Sequence, residues 1–390
     1  MAGARRPPAR IRLGMVGGGE GAFIGAVHRL AARLDGHYEL LAGALSATPA
    51  KAQRSGLVLG LAPERIYDDY AAMAAAEAQR PDGIEAVAIV TPNHLHAPVA
   101  TAFLKAGIHV LCDKPLSTSS ADAKKLLALA RRQGRVFALT HNYSGYAMVR
   151  AARQMVAEGQ LGELRVVQVE YPQDWLAEPI ERGGQKQAAW RTDPAQSGGG
   201  CIGDVGSHAW QLADYITGQP VAEVLAELGS FVPGRLVDDN AQVMLRYASG
   251  ARGLLWASQV APGHLNDLRI RVFGSRGGLD WSQRQPDRLL HTPLGQPTRV
   301  IERGTAAAGS AAARLSRLPS GHPEGYLEAF ANLYAEVAQQ LRAARPGGAR
   351  AERAAHHPSL ADGLRGVQFI EAVQASARRG GRWVKLPKET

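Results

Sequence analysis

Three residues of this chain have the types and placement needed to move a proton on and off a carbinol while a hydride leaves its carbon: Lys114, Asp204 and His208. Lys114 ends the apolar run His109–Cys112 within Cys112-Asp113-Lys114-Pro115. Asp204 and His208 stand four apart in Gly198-Gly199-Gly200-Cys201-Ile202-Gly203-Asp204-Val205-Gly206-Ser207-His208, where a glycine-rich loop runs into a helical pattern. That spacing turns both side chains to one side if the helix starts near Ile202 to Asp204. Read alone, the pair serves equally well as a helix N-cap and a core histidine. Lys114 read alone is a surface lysine, but Pro115 stiffens the turn after it and the strand before it anchors it.

A nucleotide-binding fingerprint near the start of the chain favours hydride transfer over hydrolysis. Gly14-Met15-Val16-Gly17-Gly18-Gly19-Glu20-Gly21-Ala22-Phe23-Ile24-Gly25 follows the first predicted strand and enters the first helix, where a pyrophosphate would meet backbone N–H groups. Gly17 and Gly19 fit the first two glycine positions. The third is either Ala22 at normal spacing or Gly25 after an insertion, and Phe23 and Ile24 fall between them as candidate cofactor contacts. The acid expected on a ribose 2′-hydroxyl at the end of the second strand is absent, and Ser46 occupies that region. Ser46 either leaves room for a 2′-phosphate reached by Lys51 or Arg54, or caps the next helix, so the expected cofactor is NAD or NADP. Thr91, Pro92, Asn93, His94 and His96 close a later strand at the carboxyl edge and should border the cofactor.

The elements that must position these groups are legible as periodicity. Strand-type runs at Ile11–Val16, Tyr38–Leu45, Ala86–Val90, His109–Cys112 and Val136–Thr140 alternate with helical stretches, which predicts a doubly wound parallel sheet of the Rossmann type. From Leu164 onward the strand-like runs are joined by turns, such as Ser249-Gly250 and Gly274-Ser275-Arg276-Gly277. These predict an α+β domain with a large, mainly antiparallel open sheet. The α/β chain thus divides into a flexible tail 1–10, a dinucleotide-binding domain 11–145, and a substrate-binding and oligomerisation domain 146–390 whose terminal helix can pack back on the first. Pro172 to Ser197 reads as a polar functional loop, and Arg303 to Ser320 as a surface excursion.

At 390 residues with 45% apolar content, the chain can bury two cores. No apolar run reaches the ~20 residues of a membrane span, and the basic start lacks an apolar leader, so a cytoplasmic protein without membrane contact is expected. The net charge of +10 comes largely from arginines near the two ends and is not interleaved with aromatics, which argues against a nucleic-acid partner. Cys112 and Cys201 have no second ligand at metal spacing; buried reduced thiols are the expectation, and no metal site.

On its glycine loop, Thr91-Pro92-Asn93, Asp113-Lys114-Pro115, Trp190-Arg191, and Gly199-Gly200 through Asp204 to His208, the chain resembles the Gfo/Idh/MocA family of NAD(P)-dependent oxidoreductases over nearly its whole length. It departs from the family pattern in Asp113, where Glu is usual, in the expanded glycine loop, and in Ser46. The resemblance implies that Lys114, Asp204 and His208 are catalytic and also hold the substrate, with Lys114 also on the nicotinamide ribose and His208 as acid/base. It implies cofactor contacts from Asp113, Asn142, Trp190 and Arg191, the last near the phosphates, and a substrate pocket lined by Tyr143. Trp175, Gln185 and Trp190 in the polar loop have the chemistry to stack on or hydrogen-bond a sugar. The implied reaction is hydride transfer between nicotinamide and a secondary hydroxyl of a sugar, glycoside or cyclitol, in a homodimer or homotetramer. The competing reading is a catalytically silent, dinucleotide-binding regulatory protein of the same fold.

Overall fold

The apolar run Ala86–Val90 is buried at every position, the pattern of a strand covered on both faces. In the computed structural model, which describes residues 9–345 and 356–387, it is β3 of a five-stranded sheet. Its companions are β1 (Ile11–Gly17), β2 (Tyr38–Ala44), β4 (His109–Cys112) and β5 (Phe137–Leu139), all parallel, in the order β2-β1-β3-β4-β5. The order reverses beside β1, so the loop after Gly17 opens into the crevice at the carboxyl edge where such sheets bind ligands. Of the expected tail 1–10, residues 1–8 lie outside the described residues.

The second sheet is built from β6 (Leu164–Pro172), β7 (Val221–Gly229), β8 (Asn240–Tyr247), β9 (Arg252–Ser258), β10 (Arg269–Gly274), β11 (Gly277–Ser282), β12 (Arg288–Pro293), β13 (Arg299–Glu302) and β14 (Val384–Lys385). Their order is β13-β12-β11-β10-β6-β9-β8-β7-β14, and every pairing is antiparallel except β6 with β9. Side chains on β8 alternate between buried and exposed, because one face packs on helices and the other faces outward. Val167, Val243, Leu255, Ile270 and Trp281 from this inner face share a core with residues of the helices Ala147–Ala157 and Ser207–Thr217.

Two later helices tie the sheets together. Helix Tyr326–Ala343 packs Phe330, Tyr334 and Val337 among Ile11, Leu13 and Val27 of the first layer. Helix Leu360–Arg378 gives Leu360 and Val367 to the first core and Phe369, Ile370 and Val373 to the second. Pro358, just before it, accepts the Leu139 N–H at 2.9 Å.

Two expectations need correction. Arg303 to Ser320 is not a surface excursion, because Ala308, Ala312 and Leu315 enter the second core at roughly helical spacing. Arg303 itself is buried and donates to Asp287 (2.7 Å) and Glu324 (3.0 Å). The polar stretch Pro172 to Ser197 is folded into short helical turns at Ile180–Gly183, Lys186–Arg191 and Pro194–Ser197. Gln185 and Asp193 cap the latter two, accepting from Ala188 N–H and Ala195 N–H. Among the described residues no helix is long and apolar enough to cross a membrane.

Candidate active site

Two cavities meet at the carboxyl edge of the parallel sheet. The first, about 800 Å³, is a cleft that begins at the glycine loop. Gly17 has φ +80°, which an L side chain rarely adopts. A Cβ on Gly25 would lie 2.3 Å from the Gly18 Cα, so Gly25 supplies the close helix–loop packing of the third glycine, while Ala22 lines the cleft. Arg29 props the loop by donating to Gly18 O at 2.7 Å. The helix Phe23–Leu34 starts without a side-chain cap and without an acid in its first turn, leaving its N-terminal N–H groups for an anion.

Beyond the loop, Ser46 and Lys51 line the cleft, and Ser46 Oγ accepts the Thr48 N–H at 3.1 Å. Arg54 is drawn to Glu20 at 3.5 Å. Glu20, Asp68 and Asp69 line the cleft as well. Thr91, Pro92, Asn93 and His94 form the next wall; Asn93 donates to Ser197 O at 2.8 Å. Thr91 Oγ1 and His94 Nδ1 are buried without a protein partner, as polar groups awaiting a ligand would be. These features fit a dinucleotide, with pyrophosphate at the helix start and polar groups along the wall.

His96 does not border this cleft. It is buried, and its ring bridges Pro115 O (2.6 Å) and Thr91 O (2.9 Å), so it acts by joining the two loops that do. Lys186, Gln187, Trp190 and Arg191 complete the lining, with the Arg191 guanidinium 4.2 Å from the Trp190 ring centroid.

The second cavity, about 670 Å³, shares Ile24, Asp113, Lys114, Gln187, Arg191 and Asp204 with the first. Asp113 Oδ1 accepts from Lys114 N (2.9 Å) and Thr140 Oγ1 (3.2 Å), which fixes the end of β4. The following Lys114–Pro115 peptide is cis. Lys114 Nζ donates to Asp204 Oδ1 (2.8 Å) and to the Asp204 carbonyl (2.7 Å). Asp204 Oδ2 receives Arg191 Nε (3.2 Å) and Gln259 Nε2 (2.9 Å). Burial opposes ionisation of Asp204, but Lys114 and Arg191 outweigh it and hold the carboxyl well below its usual range.

Asp204 lies in a π-helical turn, Ile202–Gly206, that feeds the helix Ser207–Thr217 carrying His208. The His208 ring stands edge-on to Tyr143 (5.0 Å) and His141 (5.7 Å), and its Nδ1 has no protein partner. Burial, followed by Lys114 and His141, pushes its imidazole well below the ordinary value, so it is neutral near pH 7. Burial likewise pushes the Tyr143 phenol up to about 12. The Tyr143 and Tyr171 hydroxyls are hydrogen-bonded to each other, and Tyr171 donates to Asn266 Oδ1 at 2.7 Å.

The structure therefore brings Lys114, Asp204, His208, Asn142, Tyr143 and Trp175 to one cavity. Phe23 and Asn142, expected on the cofactor, border this second cavity rather than the nucleotide cleft. Gln259, Asn266, Gln173 and Gln283 escape sequence reading. Gln259 had one local signal, a polar pair with Ser258 ending the strand run Leu254-Leu255-Trp256-Ala257.

A parallel nucleotide-type sheet whose carboxyl edge opens onto a cavity in a second, mixed sheet defines a two-domain oxidoreductase architecture. Residues 11–141 match the model described as the oxidoreductase family, NAD-binding Rossmann fold, and residues 149–280 match the GFO/IDH/MocA C-terminal domain. The chain belongs to the Gfo/Idh/MocA family of oxidoreductases. The uncharacterized oxidoreductase YfiI of Bacillus subtilis (strain 168) is 34% identical over 382 residues, covering 96% of this chain and 97% of its own. A crystal structure of an oxidoreductase from Sinorhizobium meliloti is 52% identical with a TM-score of 0.86, covering 97% of this chain and 100% of that one. An inositol dehydrogenase homolog from Azotobacter vinelandii, complexed with NADH and myo-inositol, is 37% identical with a TM-score of 0.89, covering 96% and 97% of the two chains.

Proposed function

We propose that this oxidoreductase is an NAD-dependent dehydrogenase acting on a secondary hydroxyl of a neutral sugar, glycoside or cyclitol. The observation that carries the proposal is the Lys114–Asp204 ion pair, which stands with His208 where the nucleotide cleft opens into the second cavity. A nicotinamide cofactor held along the glycine loop and the Thr91–His94 wall would supply the hydride acceptor for the carbinol carbon. Lys114, already engaged as a donor, orients the hydroxyl and stabilises charge developing on its oxygen. Asp204, ionised and held on both oxygens, accepts a neighbouring substrate hydroxyl or fixes Lys114. His208, neutral and with a free ring nitrogen, takes the hydroxyl proton as general base.

NAD is the preferred cofactor in this reading. Where a 2′-phosphate would sit near Ser46, the cleft presents Glu20, Asp68 and Asp69 against Lys51, with Arg54 turned toward Glu20. The myo-inositol complex of the Azotobacter relative supports a polyol substrate. Formation of NADH, followed by absorbance over a panel of sugars, glycosides and cyclitols, tests the reading. Full activity in both Lys114→Ala and His208→Ala would sink the assignment, and cofactor binding without turnover of any polyol would favour the silent regulatory alternative.

A further inference from the structure

The second cavity is lined by two chemically different sets of side chains. Near His208 it carries groups suited to hydroxyls: Tyr171, Asn266, Gln173 and Gln283, whose Oε1 is buried without a partner. The same cavity is also lined by Phe23 and Leu265, which are 67% and 78% exposed, together with Trp175 and Tyr326. Phe23 stacks on Tyr326 with ring centroids 6.5 Å apart. The ionised groups of the cavity, Asp113, Lys114, Arg191 and Asp204, all belong also to the nucleotide cleft, and the one that faces this apolar lining is the Arg191 guanidinium, 5.9 Å from the Trp175 ring centroid, a cation that an aromatic face accepts. A patch of large apolar side chains left bare beside a binding cavity marks surface that a ligand or another protein copy covers. The volume of about 670 Å³ also falls among the ~300–1,000 Å³ sites that enclose drug-sized ligands.

We propose that this apolar lining forms a subsite for an uncharged aryl or alkyl substituent, so that the preferred substrate is a glycoside with an apolar aglycone rather than a free sugar or cyclitol. The inference rests on the dehydrogenase reading above. It is tested by kcat/KM for paired phenyl and methyl glycosides of several hexoses with NAD⁺, in the native protein and in Leu265→Ser. The phenyl member is expected to be favoured by roughly tenfold, from the apolar area it buries, and the ratio to fall toward one in Leu265→Ser. A native ratio near one overturns the subsite. So does a ratio that Leu265→Ser leaves unchanged, including when the variant shifts elution on size exclusion and so assigns Leu265 to contact between copies. If no glycoside or cyclitol reduces NAD⁺, the dehydrogenase reading fails separately. The subsite is then read by calorimetry of the same glycoside pairs on the NADH-loaded protein, where phenyl preference supports it and equal affinity overturns it.

Discussion

Lys114 Nζ lies 2.8 Å from Asp204 Oδ1, joining the carboxyl edge of β4 to the helical turn that leads out of the second domain's glycine loop. The two side chains are only 11% and 19% exposed, so little solvent screens the pair. Because the same carboxylate also receives Arg191 and Gln259, it gathers donors from three separate segments onto one point of the cleft. The pair therefore ties the two sheets together at the point where the proposed chemistry would take place.

Lys114→Met should separate those two roles. Asp204 keeps Arg191 and Gln259, so the fold should survive with a loss of about 3 kcal/mol, at the lower end of what breaking a buried pair costs. With Lys114 as the proposed donor to the reacting hydroxyl, kcat/KM should fall by ~10²–10⁴. Thermal unfolding and steady-state rates measure the two effects, while NADH binding followed by fluorescence should change only a few-fold. Wild-type turnover in the variant would remove Lys114 from the chemistry.

Gln259 touches no more of the reaction than Asp204 Oδ2, which makes it a positioning residue. Gln259→Leu should lower kcat by about tenfold with KM nearly unchanged, since it removes one hydrogen bond from the carboxylate. Gln259→Glu should be worse, because it sets a second carboxylate against the first. Its pH profile should also shift, as one of the pair takes up a proton.

For His208 the expected signature lies in pH. Burial and the Lys114 ammonium keep its imidazole neutral well below pH 6.5, so kcat/KM should be flat from about pH 6 to 8, where an ordinary histidine base would lose half its activity near 6.5. Removing the Lys114 cation should raise the His208 value, visible as an imidazole titration by NMR in Lys114→Met. His208→Ala should cost ~10²–10⁴ in kcat. An acid limb near 6.5 in the native enzyme would contradict the environment described here.

The parts of the site carried by local pattern are legible in the sequence. Lys114 follows an apolar strand, and Asp204 and His208 follow a glycine run, so their types and spacing are visible without a fold. Gln259 and Asn266 reach the site only through long-range register, with β9 running parallel to β6 and the next loop folding back on Tyr171. No local periodicity encodes that. That Phe23 and Asn142 border the second cavity is hidden from the sequence for a related reason. Which side of the border a residue faces depends on how the second domain seats against the first. β12 and β13 lie in a stretch punctuated by proline, glycine and arginine, which hides their alternation even though Leu289 and Ile301 are buried.

Cofactor preference should follow the charges around Ser46. NAD⁺ should exceed NADP⁺ in kcat/KM by at least about tenfold, because Asp68 and Asp69, which follow the Tyr67 N–H bonded to Gly43 O of β2, line the same cleft as Ser46 and outnumber Lys51 there. Asp68→Lys should narrow the gap by a similar factor. Asp69 is the poorer target, since its carboxylate caps the helix Tyr70–Gln79 by accepting Ala72 N–H at 2.8 Å. Equal use of both cofactors by the native protein would move the 2′-position away from these carboxylates.

Acid should destabilise the fold before it discharges Asp204. Burial holds His28 at about 4, beneath a hydrogen-bonding contact of 2.9 Å with Tyr334. Burial, reinforced by Lys114, holds His141 at about 3. Above pH 6.5 these rings are neutral in both folded and unfolded chains and contribute nothing to the pH dependence. Below 6.5 the unfolded chain binds protons that the native interior refuses, so stability falls with pH and levels off only beneath the folded values. For His28 alone the loss between pH 6.5 and 4 is roughly 3 kcal/mol. Urea midpoints at pH 7.5, 6, 5 and 4.5 should therefore decline steadily. Since Tyr334 ties His28 to the helix Tyr326–Ala343, the loss should first loosen the cover of the nucleotide sheet. His28→Gln should flatten the decline, whatever it costs at neutral pH. A midpoint that stays constant from pH 7.5 to 4.5 would mean these rings are solvated, and the packing around His28 would need to be redrawn.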